Sequence, residues 1–484
     1  MTQPDPYGDL APRRRLVVTL ALLGCAFVAM LDGTVIGTAL PRIVAQVGGG
    51  GTWYVWLVTA YLLTSSVSVP IYGRFSDLYG RRHLLLGGLA IFLAGSLACG
   101  MAGSMLALIV CRAVQGLGAG ALLTLGMSLI RDLYPPSRAQ GLIRMQTLLA
   151  GMMVLGMVGG PVIGGLLADN AGWRWAFWIN LPIGIAAGLT IALALPQRRP
   201  ANAPNGKLDT GGIVLLVAGL SLLLTGFSLR GNAIDGATPS WTDPSVAGCL
   251  LGGLAVLGLL VVVERRAAVP VVPLRLFRHR SYSALLAAGF FFQVAALPVG
   301  VFLPLYFQHD RSHTATVSGL LLLPLLIGMT LGNRLTAAAI IRGGRAKPAL
   351  LAGAALLAAG TAAFFALGAS TPLPLTCLWL LLIGLGTGPA MGGITIATQY
   401  CVPHADMGTA TSGSTLTKQI GGAFGLACAQ SLMTRPDATI GTTIAIGGTI
   451  AGLSALVCLL FMRNVAITGP AKPATAPKPS AATA

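Results

Sequence analysis

Asp32, Arg112, Arg334 and Lys418 stand well inside long apolar runs of this sequence. On insertion scales such a charge costs about 2.5–3.5 kcal/mol at the centre of a bilayer-spanning helix, so it is kept where it faces a cavity, water or a partner. Asp32 lies in Leu31-Asp32-Gly33-Thr34-Val35-Ile36-Gly37-Thr38-Ala39-Leu40-Pro41. A carboxylate there can take up and release a proton or hold a cation; alternatively it bonds to nearby backbone at a loosened helix end. Arg112 needs an anion, carbonyls or water around it, and helical spacing puts Gln115, Gly116 and Ala119 on its face. Near an acid, its fixed charge helps to expel a proton. Lys418 can meet an anionic substrate or a carbonyl. Arg334 can read a substrate or snorkel to the inner surface. Gln115, Arg334 and Lys418 are the candidates to line a substrate cavity.

These residues must be carried by membrane helices. The 484 residues are 55% hydrophobic and only 9% charged, where a soluble chain is about 25% charged. A span needs about 20 mostly apolar residues. Such runs fall at 16–38, 53–73, 84–103, 106–130, 143–168, 174–195, 211–229, 246–264, 282–308, 316–340, 349–369, 375–398, 408–432 and 442–462. The fold expected is an all-α polytopic membrane protein of about fourteen transmembrane helices. The alternating pattern of a membrane β-barrel is absent.

Lys and Arg orient the spans. With the N-terminus inside, 22 of the 31 fall on inner segments, 5 on outer segments and 4 within spans. That asymmetry is what cytoplasmic loops carry, and it puts both termini in the cytoplasm. It accounts for the net charge of +18 and calls for attraction to anionic membrane lipids, with no nucleic-acid partner. Residues 1–15 read as a cytoplasmic tail without a cleavable leader and 464–484 as a disordered one. The eight cysteines form no CxxC pair and read as apolar fillers. No zinc-protease, P-loop or nucleophile-elbow motif is present, so no metal, cofactor or enzyme activity is expected, and transport must run on an ion gradient or passively.

Two further tracts are informative. Gly73-Arg74-Phe75-Ser76-Asp77-Leu78-Tyr79-Gly80-Arg81-Arg82 reads as a charged inner loop. Gly73 and Gly80 permit tight turns, and Asp77 and Arg81 are one helical turn apart. A solvated loop that only sets orientation is the plainer reading. Gly156, Gly160 and Gly164 form a stripe for close helix packing, with Pro161 and Gly165 beside it, and the stripe is expected to face a helix of the opposite bundle. Trp173-Arg174-Trp175-Ala176-Phe177-Trp178-Ile179-Asn180-Leu181-Pro182 reads as an interfacial aromatic belt.

Together these tracts resemble the fourteen-span drug:proton antiporters of the major facilitator superfamily, the EmrB/QacA type. The Asp32 tract is similar to that group's first-helix signature. Arg112-Ala113-Val114-Gln115-Gly116-Leu117-Gly118 is similar to its fourth-helix signature, and Gly156 to Gly165 to its antiporter signature. The resemblance implies proton coupling through Asp32 and Arg112, and a gating latch at Gly73, Asp77, Gly80 and Arg81. Gly-Pro-x-x-Gly-Gly implies export rather than uptake. It divides the chain into a tail (1–15), a six-helix bundle (16–195), a linker with two extra helices (196–281), a second six-helix bundle (282–463) and a tail (464–484). Ile341-Arg342-Gly343-Gly344-Arg345 stands where the latch often recurs, but it lacks the acid.

The function expected is a proton-coupled exporter of drugs or other small organic molecules in the cytoplasmic membrane, acting as a monomer by alternating access. The basic mid-span charges favour neutral or anionic substrates. A symporter or uniporter for one metabolite, and a non-transporting membrane scaffold, are the alternatives.

Overall fold

The computed structural model describes residues 7, 10–48, 53–134, 139–197, 210–230, 239–265, 274–368, 370–402, 407–433 and 438–463. Secondary structure there is helical, as a bilayer requires, because every backbone N–H and C=O in hydrocarbon needs a partner within its own segment. The helices are α1 (Pro12–Val47), α2 (Trp53–Tyr79), α3 (Arg81–Met101), α4 (Met105–Leu133) and α5 (Ala139–Asn170), then α6 (Trp175–Trp178), α7 (Asn180–Ala194), α8 (Thr210–Arg230) and α9 (Pro244–Glu264). After a short 3₁₀ turn follow α10 (Arg280–Leu305), α11 (Ala315–Leu321), α12 (Leu323–Gly343), α13 (Lys347–Ala362), α14 (Leu373–Met391), α15 (Gly393–Cys401), α16 (Met407–Met433) and α17 (Ile440–Leu460). Among the described residues, eleven helical stretches are long and apolar enough to cross a membrane. Their outward faces are apolar too: Leu106, Leu193 and Leu335 are all exposed.

The helices differ from the hydropathy reading in three ways. α1 begins at Pro12, whose missing N–H suits a first helical turn, so Arg13, Arg14 and Arg15 sit on the helix and not on a tail. Arg14 Nε donates to Ala194 O at 2.7 Å and fixes this end to α7. Three runs that hydropathy reads as single spans are broken, at Ile179 between α6 and α7, at Leu322 between α11 and α12, and at Gly392 between α14 and α15. The charged tract 73–82 is no loop: α2 runs through Gly73 to Tyr79, and the single turn residue is Gly80, at φ +85°. Asp77 and Arg81 therefore lie on different helices.

α1 to α7 pack mainly on one another, as do α10 and α12 to α17, while α11 packs mainly on α5, and α8 lies on α9 and touches both α2 and α16. Glycines set the close approaches. A Cβ at Gly156 would lie 2.6 Å from Phe27 O, and side chains at Gly160 and Gly164 would strike Thr34 and Val35. The stripe on α5 thus packs against α1 of the same half. The expected contact with the other half is made instead by Gly165, against Ala315 and Thr316, and by Pro161, against Gly319. On α16, Gly421 and Gly425 approach Phe290 O and Val294 O of α10 in the same manner. One buried apolar cluster joins the two halves, with Val35, Leu40 and Ile43 of α1 packed beside Val299 and Phe302 of α10 and Phe307 just beyond it.

Candidate functional site

Asp32 sits in the middle of α1 and is completely buried. Four other helices bring polar side chains to it. α4 supplies Arg112 and, one turn on, Gln115; α3 supplies Ser96; α7 opens with Asn180; and α2 supplies Tyr61. Arg112 Nη1 donates to Asp32 Oδ2 at 2.8 Å and to Gln115 Oε1 at 2.7 Å. Gln115 Nε2 donates to Asp32 Oδ1 at 2.8 Å and to Ser96 Oγ at 2.6 Å. Asn180 Nδ2 donates to the same Asp32 Oδ1 at 2.8 Å and to Ser96 Oγ at 3.2 Å. The Tyr61 ring stacks on the guanidinium, 4.0 Å from centroid to Cζ. Gly95 has no side chain because a Cβ there would lie 2.6 Å from Gln115 Cα.

Burial of this kind is costly for either charge alone. The pair persists because each carboxylate oxygen is met by N–H donors and the guanidinium by a carboxylate, an amide oxygen and an aromatic face. Asp32 makes its hydrogen bonds to side chains from α4 and α7, not to its own helix end.

A cavity of about 150 Å³ lies beside the pair, between the two halves. Gly33, Tyr61, Arg112 and Pro161 line it from one half, and Leu297 and Leu326 from the other. Its wall is mostly apolar, with Thr34, Tyr61 and Arg112 as its polar residues, and Asp32 is not among the lining residues. Beyond the cavity, at the end of α5, the halves are joined. Asp169 pairs with Arg42 at 2.8 Å and accepts from Thr316 N at 2.7 Å and Thr316 Oγ1 at 2.6 Å. Gln308 Nε2 donates across the seam to Thr38 O at 3.1 Å.

The three candidates for the cavity wall lie elsewhere. Gln115 is fully buried and belongs to the Asp32 network. Arg334 is exposed on α12. Lys418 Nζ donates to Ala390 O at 2.9 Å, beside the α14–α15 break. At the latch tract, Arg81 opens α3 and forms an ion pair with Asp132 near the end of α4. It also donates to Ser128 O at 3.1 Å. The side chain of Asp77 lies outside the described residues. The aromatic tract is only partly an interfacial belt: Trp173 and Phe177 are buried, Trp175 is exposed, and Asn180 points into the network. Among the described residues no group of three His, Cys, Asp or Glu side chains could hold a metal, and all eight cysteines are free thiols.

Ser96, Tyr61 and Asn180 were not anticipated. Ser96 and Tyr61 carry no charge to mark them in an apolar run. Asn180 did carry a signal, as the one amide within Trp-Ile-Asn-Leu-Pro.

The family model for the Major Facilitator Superfamily matches residues 22–426. The Multidrug transporter protein MdtP of Bacillus subtilis is 34% identical over 87% of this chain and 75% of its own length. Efflux pump FUS6 of Gibberella moniliformis is 31% identical over 88% of this chain and 75% of its own length. The chain spans 59% of the length of a related uncharacterized MFS-type transporter of Mycobacterium tuberculosis. Among solved structures, an auto-inhibited POT family peptide transporter superposes with a TM-score of 0.70 at 14% identity, over 96% of this chain and 99% of its own, which shows the fold alone.

Proposed function

We propose that this chain, which belongs to the Major Facilitator Superfamily and is a multi-pass membrane transporter, is a proton-coupled exporter of small organic molecules. The observation that carries the coupling is the buried Asp32–Arg112 pair at the wall of a cavity between two halves. A carboxylate that can be neutralised, held by a cation that cannot, gives one half two electrostatic states. Protonation of Asp32 frees Arg112 from its anion and so alters what faces the cavity. Export fits the multidrug and efflux descriptions of the relatives.

The architecture we assign is fourteen spans, the eleven strongly apolar stretches together with α2, α8 and α16. They form two six-helix bundles with α8 and α9 as the extra pair, both termini cytoplasmic, in the cytoplasmic membrane as a monomer among anionic lipids. The closed seam at Asp169 and Thr316 then lies on the outer side. The apolar wall with a guanidinium at its edge suits neutral or anionic lipophilic molecules and offers no exposed carboxylate to a drug cation.

The test is transport in proteoliposomes under an imposed pH gradient, with neutral, anionic and cationic lipophilic dyes. Asp32→Asn keeps the shape of the protonated acid but cannot release a proton. It is expected to bind dye, exchange it passively and lose gradient-driven accumulation. Gradient-driven accumulation at the wild-type level in that variant removes Asp32 from coupling.

A further inference from the structure

We propose that Asn180 reads the protonation state of Asp32 by turning its side-chain amide over. This rests on the proton-coupling reading above and adds to it the residue that accepts the bound proton's hydrogen bond.

Arg112 Nη1, Gln115 Nε2 and Asn180 Nδ2, the three nitrogens turned to Asp32, are all donors, which suits a carboxylate. A carboxylic acid needs an acceptor for its O–H. Arg112 has none to give. Gln115 cannot turn without cost, because its Oε1 is held by Arg112 at 2.7 Å and its Nε2 by Ser96 at 2.6 Å. Asn180 differs. Its Oδ1 is buried and has no hydrogen-bond partner among the described residues, although the residue is fully buried. A half-turn of the amide brings Oδ1 to Asp32 and carries Nδ2 to the other side. The orphaned oxygen then accepts from the protonated acid. An unsatisfied buried acceptor costs free energy in the deprotonated state; the turn gives that oxygen a donor but takes Nδ2 from Asp32 and Ser96, so it is favoured only once the acid's O–H is there to be accepted.

The other titratable groups beside Asp32 are Arg112 from α4, Tyr61 from α2 and Cys99 from α3. From α5, α7, α10 and α11 the described residues bring no titratable side chain into contact with it. Tyr61, whose ring lies on the Arg112 guanidinium beside Asp32, is the rival acceptor. Asn180 is the first residue of α7, directly after the break at Ile179, so a change in its bonding acts on a helix junction. No covalent step is involved: one proton passes from cavity water to an Asp32 oxygen, and the amide reorients.

The test is infrared difference spectroscopy of the reconstituted full chain between acid and alkaline pH, paired with dye transport. Wild type is expected to show a hydrogen-bonded carboxyl C=O band that is lost in Asp32→Asn, with a coincident change in a side-chain amide C=O band. Asn180→Leu should abolish the amide change, move the carboxyl band to the frequency of an unbonded O–H, and reduce coupled transport about five- to tenfold. Asn180→Thr, whose hydroxyl both donates and accepts by rotation, should restore bonding and most of the transport. A carboxyl band unchanged in Asn180→Leu, or one that moves in Tyr61→Phe instead, overturns the assignment while leaving coupling intact. A wild type with no Asp32 carboxyl band at any pH overturns the coupling reading and this one with it.

Discussion

Asp169, at the far end of α5, accepts two hydrogen bonds from Thr316, one from the backbone N–H and one from the hydroxyl, while its other oxygen pairs with Arg42. One carboxylate thus ties α1, α5 and α11 together across the seam. The rest of the seam described here is uncharged: close backbone contacts at Gly165 and Gly319, and the bond from Gln308 to Thr38 O. Asp169 is the charged part of this closure, and a single substitution can weaken it without adding bulk.

The first prediction follows. Asp169→Asn loses the ion pair and weakens two charge-assisted bonds, together about 1–3 kcal/mol. A preference for the closed seam that small shifts the population about five- to hundredfold toward the open form. A cysteine placed at Val301, on the cavity wall, should then react faster with an impermeant thiol reagent added outside. Labelling at the wild-type rate would show that the uncharged contacts hold the seam without Asp169.

The second concerns Arg112. Truncation to alanine leaves Asp32 buried without its cation, and breaking such a pair costs about 3–5 kcal/mol. Arg112→Ala should therefore show low yield and a lowered unfolding midpoint. The double variant Asp32→Asn/Arg112→Gln removes both charges and should recover most of the stability while remaining uncoupled. Thermal unfolding in detergent, read beside transport per molecule, separates the two losses. Equal stability of the single and double variants would mean that the unpaired Asp32 carries no burial cost.

The third concerns the α3–α4 ion pair. Arg81 and Asp132 have side chains 21% and 25% exposed, so solvent screens their attraction. Arg81→Gln should cost only about 0.5–1 kcal/mol of stability and lower the unfolding midpoint by a few degrees at most. Its larger effect should be on the rate of transport, because the tract links the ends of three helices. An unchanged turnover rate would leave Arg81 with no part in switching.

How much of this could be read beforehand depended on the kind of residue. Asp32 and Arg112 stood out because a charge is rare in an apolar run, and their energetic cost is visible in one dimension. Asn180 did not, since its partner is 148 positions away and an amide can sit unremarked in an aromatic tract. Hydropathy located the membrane runs but not the breaks at Ile179, Leu322 and Gly392, because apolar character continues across them. The four-residue spacing of Asp77 and Arg81 presumes one helix, and the positive φ of Gly80 divides it. The glycine stripe told that a helix comes close, but small residues are mute about which one.

That last point yields a comparison of two glycines five residues apart on α5. Gly160 faces Thr34 and Val35 of α1, within one half. Gly165 faces the backbone of Ala315 and Thr316, in the other half. Close-packed interfaces do not absorb an added methyl freely. α5 and α1 belong to the same half, so Gly160→Ala should lower stability by about 1–3 kcal/mol and reduce yield without favouring either face of the transporter. At Gly165 the contact exists only while the seam is closed. Gly165→Ala should leave the unfolding midpoint nearly unchanged, open the cavity to outside reagents and slow the return to this conformation. The measurement is the unfolding midpoint and external labelling of a cysteine at Val301 in both variants. If Gly160→Ala changes labelling and Gly165→Ala does not, the halves do not separate along α5 and α11. A stripe that moves against α1 would then be the working surface.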